Sequence, residues 1–441
     1  MNKRILYFSL VVAISGFLFG FDTVVISGAN LPIKNLWQTS DWFHGIFIMS
    51  MALWGTVIGA LFGGIPADKY GRKVTLIWIG ILFFISAVGS ALATDPYIFS
   101  FFRFVGGLGV GVSSIAAPMY ISEIATPKDR GKLVALYQFF LVFGILIAYL
   151  SNYLLKGFDG MNDWRWMLGV EAIPAAVYTL MVFGVPKSPR WLLLHKGNDE
   201  EAWAILKLSS SDEEAKKMMA EIKEDARDKS KGADNVFSKK YSTPLLLAFL
   251  LAFFNQLSGI NFILYYAPEI LEKAGFATSD SLLSSISIGG VNLLFTMLGL
   301  YLIDRAGRRQ LMYIGSVGYI VSLAMISFAF FSEQSANFKL IFILTFIASH
   351  GMGQGAVIWV FISEIFPNRV RAFGQSWGAG THWVFAALIT LFGSVMINSL
   401  PAWLVFAVFA AFMVLQLAFV KFLMPETKGI SLEELERQLI K

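Results

Sequence analysis

Residues 16–28 read Gly-Phe-Leu-Phe-Gly-Phe-Asp-Thr-Val-Val-Ile-Ser-Gly, an apolar run broken by one carboxylate, Asp22. A charged side chain at the centre of a membrane helix costs at least ~2.5 kcal/mol on insertion scales, so it turns inward and finds a partner. Arg103 and Glu171 sit in comparable apolar surroundings. At a rise of 1.5 Å per residue, Asp22 lies ~25 Å from the start of its helix, while Arg103 and Glu171 lie ~9 Å and ~12 Å in from the opposite side. All three therefore fall near one level. Two chemistries follow. Asp22 and Arg103 could form a fixed ion pair. Alternatively, burial favours the neutral acid while Arg103 favours the carboxylate, and the opposition leaves Asp22 poised to exchange a proton as the helices rearrange.

Other chemistries are poorly served. The chain has no cysteine, which removes disulfides, thiol catalysis and thiolate-bound metals. No nucleophile–base–orienter constellation and no metal-ligand spacing stands out, so neither an enzyme nor a metal or cofactor is expected. Gly-Gly-Leu-Gly-Val-Gly at 106–111 imitates a nucleotide loop, but it lies within an apolar run with no strand before it. Close helix packing explains it better. No GxxxxGK[ST] phosphate loop occurs either.

These residues must be positioned by membrane helices. Of 441 residues, 56% are hydrophobic and 15% charged, with a mean hydropathy of +0.65. Apolar runs long enough to cross ~30 Å of hydrocarbon recur along the chain. Twelve spans are predicted, at roughly 5–28, 43–66, 74–94, 97–122, 132–155, 163–185, 243–271, 281–303, 311–331, 340–363, 372–397 and 402–424. The opening Asn2-Lys3-Arg4 reads as the flank of the first span rather than as a signal peptide. Thirteen Lys/Arg in the short loops and the N-terminus fall on one side and five on the other, which puts both termini in the cytoplasm of a multi-pass protein of the bacterial cell membrane. That sidedness accounts for the net charge of +5 without a nucleic-acid partner. The chain is expected to work as a monomer in the bilayer.

The chain divides into a first six-helix half (1–185), a charged linker with short surface helices (186–242), a second half (243–424) and a tail (425–441). The halves repeat each other. Asp68, Gly71, Arg72 and Lys73 recur as Asp304, Gly307, Arg308 and Arg309, an offset of 304 − 68 = 236. Ser-Glu-Ile with Glu123 and Arg130 recurs with Glu364 and Arg371, an offset of 364 − 123 = 241. Duplicated six-helix halves are an architecture of secondary transporters, whose sites lie near the midplane between halves.

The loop around Asp68, Gly71, Arg72 and Lys73 resembles the signature of the major facilitator superfamily. The wider set resembles its sugar porter branch: RFVGGLGVG (103–111), PKSPRWL (186–192), QLSGIN (256–261), DRAGRR (304–309), SEIFPNRVR (363–371) and PETKG (425–429). The resemblance covers essentially the whole chain. It implies an all-α bundle of twelve helices that moves a monosaccharide by alternating access. Proton-coupled bacterial members carry an acid, an arginine and a glutamate at positions matching Asp22, Arg103 and Glu171, whereas animal facilitators tend to carry asparagine for the first. The resemblance thus implies proton symport, with a proton-independent facilitator of the same fold as the alternative.

A neutral polyol is held by directional hydrogen bonds and apolar stacking. Gln256, Asn292 and His382 come out ~15–20 Å deep, with Gln138 early in the fifth span, Asn255, Asn261 and Tyr265 in the seventh, Trp359 in the tenth and Trp383 in the eleventh. A helix unwound near Gly259 would reconcile Gln256 with Asn261. Gln138, Gln256, Asn261, Asn292, Trp359 and Trp383 match sugar-contacting positions of the family, and Phe19 matches a cavity-lining aromatic. Asn255 stands where glutamine is usual, Ile145 where a symporter has a second glutamine, and Gly351 where some facilitators have glutamate. His350 and His382 resemble histidines of a fructose-preferring facilitator, and His350 and Gln354 are candidate selectivity residues.

Asp68, Arg72, Glu123, Arg130, Asp304, Arg308, Glu364 and Arg371, with Glu426 in the tail motif, mark the cytoplasmic helix ends. Pairs reaching across the halves would hold that side closed and break on opening. Lys187 replaces the glutamate usual in the PESPRWL motif, so one familial pairing is expected to be absent or reversed.

Overall fold

The computed structural model describes residues 2–126, 129–208, 210–229, 235–367, 369–430 and 432–440; Lys128, used in the sidedness count, lies outside them. Within the described residues, eleven stretches are long and apolar enough to cross a membrane, and a pair bent by 40° (Asp41–Met49 and Met51–Phe62) supplies a twelfth. The first span, Lys3–Trp37, runs nine residues past its predicted end at 28. Its last turns carry Asn30 and Lys34, whose side chains find partners at the far end of the bundle, so polarity there does not stop the helix.

Three spans are interrupted where they carry polar residues. The sixth breaks at Val170–Glu171, between Asp163–Gly169 and Ala172–Phe183. Pro174 explains the break: it lacks an N–H and its ring clashes with the carbonyl one turn back. The seventh ends its first helix at Leu257 and resumes as Ile260–Tyr265, with Gly259 at φ +85° between them. A Cβ there would also lie 2.6 Å from the Phe409 ring. The unwinding predicted near Gly259 is therefore present. The tenth runs Ala336–His350, widens to a π-helical turn at Gly351–Gly355, and continues as Ala356–Glu364. Such π-turns re-aim side chains within an α-helix, and this one buries Gln354 completely.

Small residues set the helix spacing. A Cβ on Gly107 would lie 1.8 Å from the Ala52 carbonyl oxygen, and one on Gly111 would lie 2.4 Å from that of Thr56. Gly107 and Gly111 thus pack the fourth span (Pro96–Ile124) onto the second, and Gly106 packs it onto Ser86 of the third, as their apolar setting suggests.

The repeat recurs in three dimensions. Arg72 pairs with Asp68 at 2.9 Å and Glu123 at 2.9 Å and donates to the Ala67 carbonyl at 3.1 Å. Arg308 pairs with Asp304 at 3.0 Å and Glu364 at 2.8 Å and donates to the Ile303 carbonyl at 3.1 Å. The linker helices include Asp199–Leu206 and Asp212–Lys229. A small core of Trp191, Leu192, Leu193, Ala202 and Ile205 holds this segment together. Trp191 Nε1 donates to the Asp68 carbonyl at 2.8 Å, and Tyr120 donates to that of Pro186 at 2.8 Å.

Candidate functional site

Asp22 on the first span meets Arg103 on the fourth. Nη1 of Arg103 donates to Asp22 Oδ1 at 2.5 Å and Nη2 donates to the Asp22 backbone carbonyl at 3.0 Å. Both side chains are 2% exposed. Glu171, delivered by the break in the sixth span, is buried and interacts with both. The three charged residues read from sequence are thus one cluster. Its charge count is informative, because two carboxyl groups share one guanidinium. With both ionised the buried cluster carries −1, and one proton makes it neutral, the condition that burial favours. Glu171 Oε1 and Arg103 Nε have no hydrogen-bond partner, so the set is not saturated. Gly106 on the fourth span lets Ser86 of the third approach beside the cluster, since a Cβ there would lie 2.3 Å from the Ser86 hydroxyl. Tyr265, beyond the break in the seventh span, lies near Asp22, Arg103 and Thr23.

The second cluster is uncharged. Gln256 Nε2 donates to Asn255 Oδ1 at 2.8 Å and approaches the His382 ring nitrogens at 3.2 and 3.4 Å. His382 packs between two indoles, 4.9 Å from Trp359 and 4.7 Å from Trp383 between ring centroids. Phe19 of the first half touches Trp383 of the second at 5.6 Å. Asn255 Nδ2 donates to Gln354 Oε1 at 3.2 Å. Asn255, Gln256, Gln354, His382, Trp359, Trp383 and Phe19 therefore gather in one region, and Phe19 lies one helical turn before Asp22.

Other candidates fall outside this contact set. Asn292 is buried and accepts from Thr296 on its own helix at 3.4 Å. Asn261 is buried in the segment after Gly259, and Gln138 is half-buried on the fifth span. His350 is engaged by the Tyr319 hydroxyl of the ninth span at 2.6 Å.

At the end carrying the termini, the pairs of Arg72 and Arg308 stay within their own halves rather than linking them. The reason is local geometry. Asp68 lies at the end of one helix and Arg72 opens the next across Gly71 at φ +93°, and Asp304 and Arg308 flank Gly307 at φ +96° in the same way, so each tight turn brings the arginine back to its acid. Arg130 is exposed, and Arg371 donates instead to the Phe366 carbonyl at 3.2 Å. Lys187 pairs with Glu201 of the linker at 3.2 Å, and Ser188 donates to Glu123 at 2.5 Å. Glu426 caps the ninth span, accepting backbone N–H bonds from Arg308 at 2.9 Å and Arg309 at 3.0 Å. Burial opposes its charge, but these donors and the N–H groups of Lys428 and Thr427 outweigh it and hold the carboxyl below its ordinary range.

One cluster was missed by the reading of the sequence. Buried Glu269 accepts from Asn30 Nδ2 at 2.9 Å, and Asn30 Oδ1 meets His44 Nε2 at 2.7 Å. His44 Nδ1 meets Thr39 at 2.8 Å. Nearby, Lys34 bonds Asp41 at 2.5 Å and Asn398 donates to Asp41 at 3.1 Å. These bonds join the halves at the end away from the termini. Glu269 lies inside the predicted seventh span, so the rule that singles out Asp22, an acid within an apolar span, also reaches it.

Residues 8–439 match the family model described as sugar (and other) transporter. Over 450 residues the chain is 35% identical to the arabinose-proton symporter of Bacillus subtilis, covering 99% of this chain and 95% of the relative. It is 33% identical to the D-xylose-proton symporter of Escherichia coli over 473 residues, covering 99% and 96%. The inward open conformation of the xylose transporter XylE from E. coli matches with a TM-score of 0.88 at 31% identity, covering 99% of this chain and 100% of that one. With its apolar spans and major facilitator fold, the chain is a multi-pass membrane transporter rather than an enzyme, and it belongs to the sugar (and other) transporter family.

Proposed function

We propose that this protein is a proton-coupled monosaccharide symporter that works by alternating access, with both termini in the cytoplasm. The observation that carries the reading is the buried cluster of Asp22, Arg103 and Glu171, two acids around one cation at 1–2% exposure. Protonation weakens the charge-assisted bond from Arg103 to Asp22 and frees the first span to shift. That span also carries Phe19 against Trp383, so movement of the proton site is felt at the sugar site. Asn255, Gln256, His382, Trp359 and Trp383 form the sugar site, with amides supplying direction and indoles supplying stacking; Gln138, Asn261 and Asn292 complete it in other conformations. Two relatives are named as proton symporters of pentoses, which supports the substrate class.

The bonds between halves at the end away from the termini fit a state closed to the outside, as in the inward open relative. Arg72 and Arg308, with their acids, then form a bracket in each half that stiffens the cytoplasmic helix ends. The test uses purified protein in liposomes with labelled D-xylose, D-glucose, D-galactose and L-arabinose. An inward proton gradient drives uptake above equilibrium, and Asp22→Asn abolishes the drive while leaving exchange of sugar across the membrane. Uptake indifferent to the gradient would make the protein a facilitator.

A further inference from the structure

A chain of hydrogen bonds runs from the sugar site into the second half, and its direction is fixed. Ser316 Oγ donates to the Met312 carbonyl at 2.7 Å. Gln416 Nε2 donates to Ser316 Oγ at 2.8 Å, and Gln354 Nε2 donates to Gln416 Oε1 at 2.7 Å. Asn255 Nδ2 donates to Gln354 Oε1 at 3.2 Å, and Gln256 Nε2 donates to Asn255 Oδ1 at 2.8 Å. Every member is at most 2% exposed.

A backbone carbonyl only accepts, so the Ser316 proton is committed to Met312 and Ser316 must accept from Gln416. A carboxamide donates at one end and accepts at the other. Each amide in turn is therefore oriented by the one before it, and flipping any of them would set oxygen against oxygen or NH₂ against NH₂ at both junctions. Buried groups left unmatched in this way are costly. The last amide inherits the orientation. Gln256 has one N–H on Asn255 and the other facing His382, and its Oε1 is buried with no partner.

We propose that Gln416 and Gln354 are positioning residues that fix Gln256 as an acceptor, so that its contact selects a sugar hydroxyl acting as donor. Gln416 touches no part of the sugar site and acts through Gln354 and Asn255. The inference rests on the sugar-binding reading of Gln256 given above.

The experiment measures binding to the purified full-length protein of D-xylose, D-glucose, D-galactose and L-arabinose, followed by the monodeoxy and monofluorodeoxy analogues of the tightest binder. Fluorine accepts weakly and never donates, so at the one position facing Gln256 fluorination weakens binding about tenfold. In Gln416→Leu, and in the milder Ser316→Ala that removes only the anchor, Gln256 is free to turn, and that penalty falls to about threefold or less. Gln354→Glu, protonated in this setting, donates to Gln416 and accepts from Asn255, and keeps the tenfold penalty. A purely structural role would lower affinity for every analogue alike and leave the ratio unchanged. An unchanged ratio in Ser316→Ala and in folded Gln416→Leu overturns the proposal. Failure of the wild-type protein to bind any of the four sugars overturns the sugar reading itself, and this inference with it.

Discussion

Replacing Arg103 by leucine leaves Asp22 and Glu171 enclosed together without a cation. Removing one partner of a buried pair costs about 3–5 kcal/mol, because the survivor keeps its desolvation penalty and loses its compensation. Replacing Asp22 by asparagine is a different perturbation. The amide oxygen still accepts from Nη1, the backbone carbonyl at 3.0 Å still accepts from Nη2, and the Glu171 carboxyl stays within range of the Arg103 charge. The expected loss is that of downgrading one charge-assisted bond to a neutral one, about 1–2 kcal/mol. The double variant Asp22→Asn/Arg103→Leu leaves Glu171 alone, which a proton neutralises, so it should be more stable than Arg103→Leu. Thermal unfolding in detergent at neutral pH, followed by intrinsic fluorescence, gives the ranking: wild type, Asp22→Asn, the double variant, then Arg103→Leu. If Asp22→Asn unfolds as readily as Arg103→Leu, Glu171 does not compensate Arg103, and the two-acid, one-cation account of the cluster is wrong.

Further outcomes follow from other parts of the fold. Gly259→Ala combines the strain of a positive φ with a Cβ 2.6 Å from the Phe409 ring, so it should cost more than about 1 kcal/mol and weaken sugar binding through the displaced Gln256. Glu426 has a depressed native pKa, so its contribution to stability is present above the ordinary carboxyl value of 4.5 and is lost as pH falls through its lower folded value. Glu426→Gln should flatten acid destabilisation below about pH 4.5, seen as a smaller drop in melting temperature between about pH 5 and pH 3. Asn30→Ala leaves Glu269 buried without its donor and unties it from His44. Ser394 is buried on the eleventh span, and its carbonyl accepts from the same Asn398 amide that bonds Asp41. In a Ser394→Cys background Asn30→Ala should raise the rate of labelling by an impermeant maleimide about tenfold, from the side away from the termini.

Much of the charged chemistry was legible in the chain itself, because acids are rare within apolar runs and helix rise converts position into depth. Asp22, Arg103 and Glu171 met on that arithmetic alone. Gly259 was legible too, since Gln256 and Asn261 at i and i+5 do not share one face of an unbroken helix. Partner choice was not. Depth places Gln354 and Gln416 near the midplane without revealing that their amides meet, because azimuth depends on the π-turn at 351–355 and on the tilt of the last span. The charges at the cytoplasmic helix ends show the same limit. Asp68–Arg72 and Asp304–Arg308 each flank a turn that Gly71 or Gly307 makes at positive φ, so the local pairing competes with any contact between halves, and in this conformation the local pairing is made. Glu269 escaped notice although it obeys the rule that found Asp22.

The leading part of the linker is anchored on the first half. Trp191 hangs from the Asp68 carbonyl, Tyr120 holds Pro186, and Ser188 reaches Glu123, all anchors on the first six spans. That leading part therefore travels with the first lobe, while Phe237 near the linker's end packs 5.8 Å from the Trp377 ring of the second. A fluorophore placed on the leading helix Asp199–Leu206, paired with one on the opposite lobe, would read the rocking angle directly, with that helix serving as a pointer welded to one jaw.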